Sequence, residues 1–202
     1  MIKAIVFDLG NVLMEFGWER YFHERGYEGE AFERIADATV RSPWWLELDK
    51  GTITKEEAVA NYIQVAPEFE EEFLGLYNRI DQMLVRYDYA LDWLQELRER
   101  GYKLYALSNW SKPALEGCAK GLSFLDDLDG AVLSYQEKVI KPNAQIYHIL
   151  CERYDIRPEE AVFLDDSLPN VIGAHAVGMH GIHFRSYEQG KAELEALLAR
   201  EG

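Results

Sequence analysis

The chain has 202 residues, 48% of them hydrophobic and 13% aromatic, which suffices for one sizeable α/β core with a modest insertion and is short for two full domains. Its formal charge of −15, from 21 basic and 36 acidic side chains, argues against a nucleic-acid or anionic-membrane surface and favours a small-molecule partner. The two cysteines, Cys118 and Cys151, lack the spacing of a disulfide or metal site, and the sequence has no signal-like or membrane-length apolar run. We therefore expect a cytoplasmic protein. We expect it to be either a monomer or a homodimer.

Short β-rich runs alternate with helix-patterned segments along the chain, beginning with AIVF at 4–7. The later runs are LYAL at 104–107, AVLS at 131–134, AVFL at 161–164 and GIHF at 181–184. Most of these runs are almost wholly apolar, as strands covered on both faces should be. The alternation predicts an α/β fold built on a parallel sheet.

A long stretch from about 15 to 86 separates the first strand from the second and carries helical patterns without a convincing strand. Within it, Thr54 and the acidic first turn that follows predict a capped helix. After it, YALDWLQELRERG at 89–101 predicts a helix that ends at a glycine and returns the chain to the sheet. We therefore predict an inserted helical cap at 15–86 between two parts of one core, 1–14 and 87–202.

The first candidate site is VFDLGNVL at 6–13, where a buried strand delivers Asp8 and the chain then turns through Gly10. In open α/β sheets, ligands bind at the carboxyl ends of the strands. An Asp followed by Gly and Asn is also ordinary turn chemistry. Alone, this motif does not decide between catalysis and a turn.

Two further segments place polar groups beside predicted strands or helices. ALSNW places Ser108 and Asn109 where a hydroxyl, an amide and helix N-terminal N–H groups can hold phosphate oxygens, with Ser111 as the N-cap of the next helix. In KVIKPN, Pro142 biases Lys141 toward extended backbone ahead of another helix. A lysine considered alone would be a solvated surface charge.

The last candidate site is AVFLDDSLPNV, in which a strand end delivers Asp165 and Asp166. Two adjacent acids repel each other unless a cation or a hydrogen-bond donor compensates them. An Asx turn that caps the helix from Ser167 accounts for one of the two. The other is a candidate metal ligand.

Taken in order, these four elements resemble the haloacid dehalogenase superfamily, which has a nucleophilic Asp after its first strand, Ser or Thr after the second, Lys before a helix, and paired acids after a later strand. The agreement spans the whole predicted core, and the inserted helices are similar to the small helical cap of that family. The resemblance implies a Rossmann-like, three-layer core with an inserted cap, and it implies a phosphatase.

The resemblance also implies catalytic roles. Asp8 would attack phosphorus and form an aspartyl-phosphate, which splits one difficult displacement into two easier ones. Lys141 would neutralise charge on Asp8 and on the phosphoryl group during transfer. Ser108, Asn109 and Lys141 would bind the phosphate oxygens of a small phosphorylated metabolite.

A Mg²⁺ ion is the cofactor that the resemblance implies, and it requires oxygen ligands. Its ligands would be the Asp8 carboxylate, the Gly10 carbonyl and Asp166, with Asp165 as a nearer or water-mediated partner. The ion would reduce the repulsion between carboxylate and phosphate. Asn170, one turn beyond the acids, would orient either Lys141 or the acid pair.

The sequence departs from the family at Gly10, where its phosphatases usually carry a second Asp that protonates the leaving group and activates water. The backbone carbonyl survives this change, but the acid and base do not. Either a carboxylate or histidine of the cap, such as Glu15 or His23, replaces it, or the substrate has a good leaving group. The DLGNV form is similar to that of sugar-1-phosphate phosphatases, among them bacterial α-glucose-1-phosphate phosphatases, which favours a sugar phosphate.

Two other functions stay open at this stage. One is a metal-independent 2-haloacid dehalogenase, a branch that also tolerates glycine at this position, although it has no use for the paired acids Asp165 and Asp166. The other is a catalytically impaired phosphate-binding pseudoenzyme, which the intact Asp8 and Lys141 disfavour.

Aromatic residues of the insertion would form either a substrate wall or cap packing; they are Phe16, Trp18, Trp44 and Trp45. The histidines lack zinc-type spacing.

Overall fold

The structure is a computed structural model that describes residues 1–201. Its strands are β1 (Ala4–Phe7), β2 (Met14–Phe16), β3 (Leu84–Arg86), β4 (Lys103–Ser108), β5 (Gly130–Leu133), β6 (Ala161–Asp165) and β7 (His180–His183). Within residues 1–201, five of these strands form one parallel sheet in the order β5-β4-β1-β6-β7. The predicted α/β fold with a parallel sheet is confirmed, and each of the five predicted runs coincides with a strand, although Ser134 and Phe184 lie one residue beyond the ends of β5 and β7.

Helices cover both faces of this sheet and form the inserted segment. They are α1 (Trp18–Glu24), α2 (Gly29–Ala38), α3 (Pro43–Lys50), α4 (Lys55–Val65), α5 (Glu70–Gly75), α6 (Tyr89–Glu99), α7 (Lys112–Gly117), α8 (Ser134–Glu137), α9 (Ala144–Tyr154), α10 (Leu168–Ala176) and α11 (Tyr187–Glu201). Short 3-10 turns lie at Pro67–Phe69, Leu76–Asn78, Ile80–Gln82, Ser123–Asp127 and Pro158–Glu160. None of the helices in the described part of the chain is both long and apolar enough to cross a membrane.

Alternate residues of the central strand β1 face opposite layers, as the two-residue period of a strand requires. Phe7 belongs to a cluster that includes Trp93 of α6 and Leu194 of α11, and its ring centroid lies 5.1 Å from that of Trp93. Val6 belongs to a second cluster, which includes Ile146 of α9. The core therefore has three layers, as predicted, with β1 buried in the middle one.

Helices α1 to α5 lie between two short strands, β2 and β3, which pair antiparallel. The expectation that the stretch from 15 to 86 contains no strand was therefore wrong at both of its ends. Each strand has three residues, and only Met14 and Leu84 are buried, so no alternating pattern is long enough to be recognised. The helix after Thr54 is confirmed, with a capping box between Thr54 and Glu57.

One hydrophobic cluster runs continuously from the inserted helices into the sheet, joining residues such as Tyr62 and Phe73 of the insertion to Phe7 and Leu104 of the core. The insertion therefore does not enclose a separate hydrophobic core of its own. Its assignment as a cap at 15–86 stays a prediction. The packing nevertheless holds α3 against α8, and this places the end of α3 beside the carboxyl ends of the central strands.

Candidate active site

Carboxylates from neighbouring strands meet at one edge of the sheet. Asp8 follows β1, and its N–H donates to the Leu164 carbonyl of β6 at 2.9 Å, which continues the pairing of these strands by one residue. Ser108 ends β4 and Asp165 ends β6. Because the strands are parallel and adjacent, their last side chains converge, as the strand-end motifs predicted.

Lys141 lies at the centre of this group and is 3% exposed. Its Nζ is 2.8 Å from Oδ1 of Asp8 and 2.6 Å from Oδ2 of Asp165, and it donates to the Leu107 carbonyl at 3.0 Å. Burial lowers the pKa of Lys141, but the two carboxylates outweigh burial and leave that pKa above its ordinary value. The lysine is therefore charged and bridges two buried acids.

The Asp8 carboxylate is held through one of its oxygens. Oδ1 accepts hydrogen bonds from the Ser108 hydroxyl at 2.6 Å and the Leu9 N–H at 2.8 Å, in addition to the contact with Lys141. No hydrogen bond from the described residues reaches Oδ2. Burial raises the pKa of Asp8 to about 7, Lys141 opposes this rise, and Asp165 adds to it. Oδ2 is thus without a hydrogen-bond partner among the described residues, and the Lys141 cation at Oδ1 favours the ionised form of Asp8.

Asp165 has its oxygens fully engaged. Oδ1 accepts from the Ser167 N–H at 2.7 Å, which is the Asx turn that the sequence indicated, and the Asn170 amide donates to Oδ1 and Oδ2 at 3.0 and 3.1 Å. With Lys141 on Oδ2, this side chain is saturated with donors. Asp165 therefore acts as the anchor that positions Lys141, and Asn170 holds that anchor.

Asp166 presents a second carboxylate to the same space. Its Oδ2 accepts from Nδ2 of Asn11 at 2.8 Å, and its backbone carbonyl contacts Nε2 of His183 at 2.9 Å. Asn11 reaches it from a left-handed backbone conformation with φ 55°. Burial raises the pKa of Asp166, and the Asn11 amide opposes that rise. Carboxylate oxygens of Asp8, Asp165 and Asp166 lie within 4.8 Å of one another, a spacing that suits one shared cation.

Asn109 lies beside the acids, but its side chain is turned to the backbone. Its Oδ1 accepts from the Lys141 N–H at 2.8 Å, and its Nδ2 donates to the Lys141 carbonyl at 3.2 Å. The sequence predicted an amide that binds phosphate oxygens. The structure instead gives this amide two bonds to the segment that carries Lys141, so phosphate binding by Asn109 stays a prediction.

A cavity of about 170 Å³ opens above Asp8. It is lined by Asp8, Gly10, Asn11, Phe16, Trp45, Asp49, Leu84, Ser108, Asn109, Trp110, Ser111, Ala114 and Asp166. Phe16 and Trp45 supply part of its wall, while Trp18 stacks on Phe32 at 5.6 Å between ring centroids. Trp18 thus packs within the insertion, while Phe16 and Trp45 line the cavity, and their use as a wall for the substrate stays a prediction.

Asp49, a buried acid at the end of α3, lines this cavity and was not among the residues predicted from the sequence. The available signal was its spacing, because Trp45 and Asp49 are four residues apart and share one face of the helix. The two side chains considered as the replacement acid lie elsewhere. Glu15 pairs with Arg20 at 2.7 Å, and His23 stacks on Phe32 with 4.3 Å between centroids.

Replacing Asn170 with alanine is expected to lower the kcat of the phosphatase activity that the sequence predicts about 10- to 100-fold. This is the usual effect of removing a side chain that orients a residue of an active site. The amide is the donor that reaches both oxygens of Asp165, so its loss frees the anchor of Lys141. Steady-state kinetics should show the fall in kcat. Asn61→Ala, on α4 and away from the cavity, is the control, and equal rates for both variants would contradict the positioning role.

Comparison with known proteins gives a match to the family model of haloacid dehalogenase-like hydrolases over residues 2–178. D-ribitol-5-phosphate phosphatase of Bacteroides thetaiotaomicron is 26% identical over 218 residues, which cover 98% of this chain and 99% of that enzyme. (S)-2-haloacid dehalogenase 1 of Pseudomonas sp. is also 26% identical, with 90% of this chain and 83% of that enzyme covered. The chain spans 19% of another relative, acyl-CoA dehydrogenase family member 10 of Mus musculus, at 28% identity.

Among solved structures, a haloacid dehalogenase family enzyme of Bacteroides thetaiotaomicron superposes with a TM-score of 0.76 and 25% identity, covering 96% of this chain and 98% of that one. A second structure of that enzyme, in complex with magnesium and inorganic phosphate, has a TM-score of 0.72 at 25% identity, covering 93% of this chain and 98% of that one. The fold and the chain length of this enzyme thus match those of the present protein.

Proposed function

The chain belongs to the haloacid dehalogenase-like hydrolase family, and we propose that it is a Mg²⁺-dependent phosphatase that acts on a small phosphorylated metabolite through an aspartyl-phosphate on Asp8. Family membership confirms the resemblance found in the sequence. The observation that carries the proposal is the state of Asp8, a buried carboxylate with Lys141 and Ser108 on one oxygen and the other oxygen without a hydrogen bond, at the floor of a cavity.

In this proposal Asp8 attacks the phosphorus of the substrate through its free oxygen. Ser108 and Lys141 lie within hydrogen-bond distance of Oδ1 and orient the carboxylate. The charge of Lys141 also offsets negative charge that spreads over the phosphoryl oxygens during transfer. The Asn109 side chain is hydrogen-bonded to both the backbone N–H and the backbone carbonyl of Lys141. We therefore assign to Asn109 the positioning of that lysine, as well as the predicted contact with phosphate.

The residues at this site fit a Mg²⁺ ion. Mg²⁺ prefers oxygen ligands and is usually bound by one or two carboxylates together with substrate phosphate and water. The Asp8 and Asp166 carboxylates and the Gly10 carbonyl would be ligands of the ion. Asp165, whose oxygens already accept from three donor groups, would interact with the ion through water. When bound, the ion supplies positive charge between the nucleophile and the phosphate.

We propose a sugar phosphate as the substrate class. The cavity combines polar side chains around Asp8 with a wall of aromatic rings from Phe16, Trp45 and Trp110, a lining that suits a small polar metabolite. A relative that matches almost the whole chain is named for a sugar-alcohol phosphate, D-ribitol 5-phosphate. The sequence form around Gly10 favours a sugar 1-phosphate, so both positions of the phosphate belong in the test.

The experiment is release of inorganic phosphate from p-nitrophenyl phosphate and from a panel of sugar phosphates that includes D-ribitol 5-phosphate and glucose 1-phosphate. With Mg²⁺ we expect turnover of the aryl phosphate and of at least one sugar phosphate, and with EDTA we expect both to stop. A protein that releases no phosphate from any of these compounds with Mg²⁺ present would contradict the proposal.

A 2-haloacid dehalogenase is the second candidate, and one observation favours keeping it, namely the 26% identity with a dehalogenase over 90% of the chain. Halide release from 2-chloropropionate without metal would support it. A pseudoenzyme would bind Mg²⁺ and beryllofluoride, with a rise in melting temperature, yet release no phosphate. The cytoplasmic location and the monomeric or dimeric state stay predictions, and the two cysteines, free and buried, agree with the former.

A further inference from the structure

We propose that Asp49 is the general acid and base of this reaction: it protonates the leaving oxygen of the substrate and then activates the water that releases phosphate from Asp8. The assignment rests on the proposed function. It starts from a chemical need, since the oxygen of an alkyl or sugar alcohol leaves phosphorus poorly unless it receives a proton. The residue after Leu9 is Gly10, which offers no side chain for this purpose.

Among the described residues that line the cavity, those with titratable side chains are Asp8, Asp49 and Asp166. Asp8 is the proposed nucleophile. Asp166 belongs to the group of carboxylates close enough to share one cation, and Asp49 does not belong to it. By elimination, Asp49 is the side chain of the cavity that is free to exchange a proton with the substrate.

The position of Asp49 is fixed by its contacts with the core. Its backbone carbonyl accepts from the Ser134 hydroxyl, and the same hydroxyl oxygen accepts from the backbone N–H of Trp110 at 2.9 Å. Its carboxyl group is hydrogen-bonded to the hydroxyl and the backbone N–H of Ser111, the N-cap of α7. Asp49 is therefore held on the wall contributed by α3, with Asp8 on the floor of the same cavity.

The surroundings of Asp49 favour a neutral, proton-bearing carboxyl group. Burial raises its pKa well above the ordinary 3.8, the charge of Asp8 adds to this, and the hydrogen bonds from Ser111 oppose it. Tyr62 and Tyr77, which bond to each other at 3.1 Å, are packed near it, and burial and, less strongly, the charge of Asp49 raise the pKa values of both tyrosines. No cationic side chain in the described chain contributes to this balance.

The two steps balance in atoms and charge. In the first, an oxygen of Asp8 bonds to phosphorus, the bond from phosphorus to the leaving oxygen breaks, and that oxygen takes the proton of Asp49, giving an alcohol and an Asp49 carboxylate. In the second, the Asp49 carboxylate takes a proton from water, the water oxygen bonds to phosphorus, and the bond to Asp8 breaks. Inorganic phosphate leaves, and Asp49 is protonated again.

The test compares Asp49→Asn with wild type on two aryl phosphates, p-nitrophenyl phosphate and phenyl phosphate, in Mg²⁺. Phenol is the less acidic leaving group and needs the proton more. We expect kcat/KM for phenyl phosphate to fall about 10²- to 10⁴-fold. The fall in kcat/KM for p-nitrophenyl phosphate should be smaller than that by a factor of at least ten. Because the base of the second step is also lost, p-nitrophenyl phosphate should give a burst of about one nitrophenol per enzyme before slow turnover.

Two companion variants complete the design. Glu47→Gln removes a charge from the same helix outside the cavity and should keep wild-type rates. A Cβ added at Gly10 meets nothing within 4 Å, so Gly10→Asp can place a carboxyl group in the same cavity. It should restore turnover of phenyl phosphate at least tenfold in the Asp49→Asn background.

Folding of the variant is checked by its melting temperature at several pH values. A buried acid with a raised pKa binds more protons in the folded than in the unfolded protein above pH 3.8, so the contribution of Asp49 to wild-type stability falls as pH rises from there. Asparagine removes this dependence. The melting temperature of Asp49→Asn relative to wild type should therefore rise from pH 5 to pH 8, which an unfolded variant would not show.

The outcomes separate this assignment from the proposed function. A wild-type protein that hydrolyses neither aryl phosphate would overturn both. An active wild type whose Asp49→Asn variant loses both substrates equally, shows no burst and is not restored by Gly10→Asp would overturn the assignment alone, as would a variant that keeps wild-type rates on phenyl phosphate.

Discussion

A Lys141→Met variant is expected to lose about 10²- to 10³-fold in kcat and, at neutral pH without Mg²⁺, about 3–5 kcal/mol of unfolding free energy. Lys141 is the buried cation that bridges Asp8 and Asp165 at 2.8 and 2.6 Å. Methionine has a similar length and keeps the packing, but it leaves two buried carboxylates without a cationic partner. Urea unfolding in EDTA and steady-state kinetics with p-nitrophenyl phosphate measure the two effects.

The stability loss should depend on pH in a defined direction. Without the lysine, the pKa of Asp8 rises further, because Lys141 is the cation that opposes its rise. The folded variant then binds more protons than the unfolded one, so its deficit in unfolding free energy grows as pH rises and shrinks as pH falls. Lys112→Met is the control, because Lys112 is exposed and pairs with Glu116 at 3.7 Å, a contact worth less than about 1 kcal/mol. A Lys141→Met protein as stable as the control would contradict the buried ion cluster.

Replacing Asp8 with asparagine is expected to abolish activity, with a loss of at least about 10⁴-fold, the order found when the nucleophile of a covalent mechanism is removed. Its effect on stability should have the opposite sign to that of Lys141→Met. Burial and Asp165 raise the pKa of Asp8 to about 7, so in EDTA the ionised carboxylate destabilises the fold above pH 7. The amide carries no such charge, so urea unfolding at pH 8 should show an equal or higher free energy of unfolding.

Asp165→Asn provides the matched comparison, since it removes the same charge from the same cluster. The Asp165 carboxylate accepts from Lys141, Ser167 and Asn170, so an amide there would turn its own N–H groups toward donors. We expect this variant to unfold at lower urea concentration than wild type. Equal changes in the unfolding free energy of Asp8→Asn and Asp165→Asn would contradict the different hydrogen-bonding roles that we assign to the two acids.

Part of the site follows from the sequence alone because strand ends are local features. Each buried apolar run indicates a strand, and the residue that follows it lies at the carboxyl edge of a parallel sheet wherever that strand is placed. Asp8, Ser108 and Asp165 could therefore be assigned to one edge before their neighbours were known. The order of the motifs then carried the resemblance to the family, and Lys141 entered the site with it.

The tertiary structure decided which of these groups touch. That Asp165 is saturated with donors while Asp8 keeps a free oxygen depends on Asn170 and Ser167, whose directions no sequence pattern fixes. The orientation of Asn109 toward backbone is of the same kind.

Asp8 was thus determined by the sequence as the candidate nucleophile, together with the absence of an acid at Gly10. What stands in that acid's place was decided only by the fold. The helical period puts Asp49 on the face of Trp45, but it cannot tell that α3 ends against α8, because that contact joins residues more than eighty positions apart. Packing between helices and strands decides which side chains meet across such a distance in sequence. The residue pattern of one helix or strand does not predict which other element it packs against.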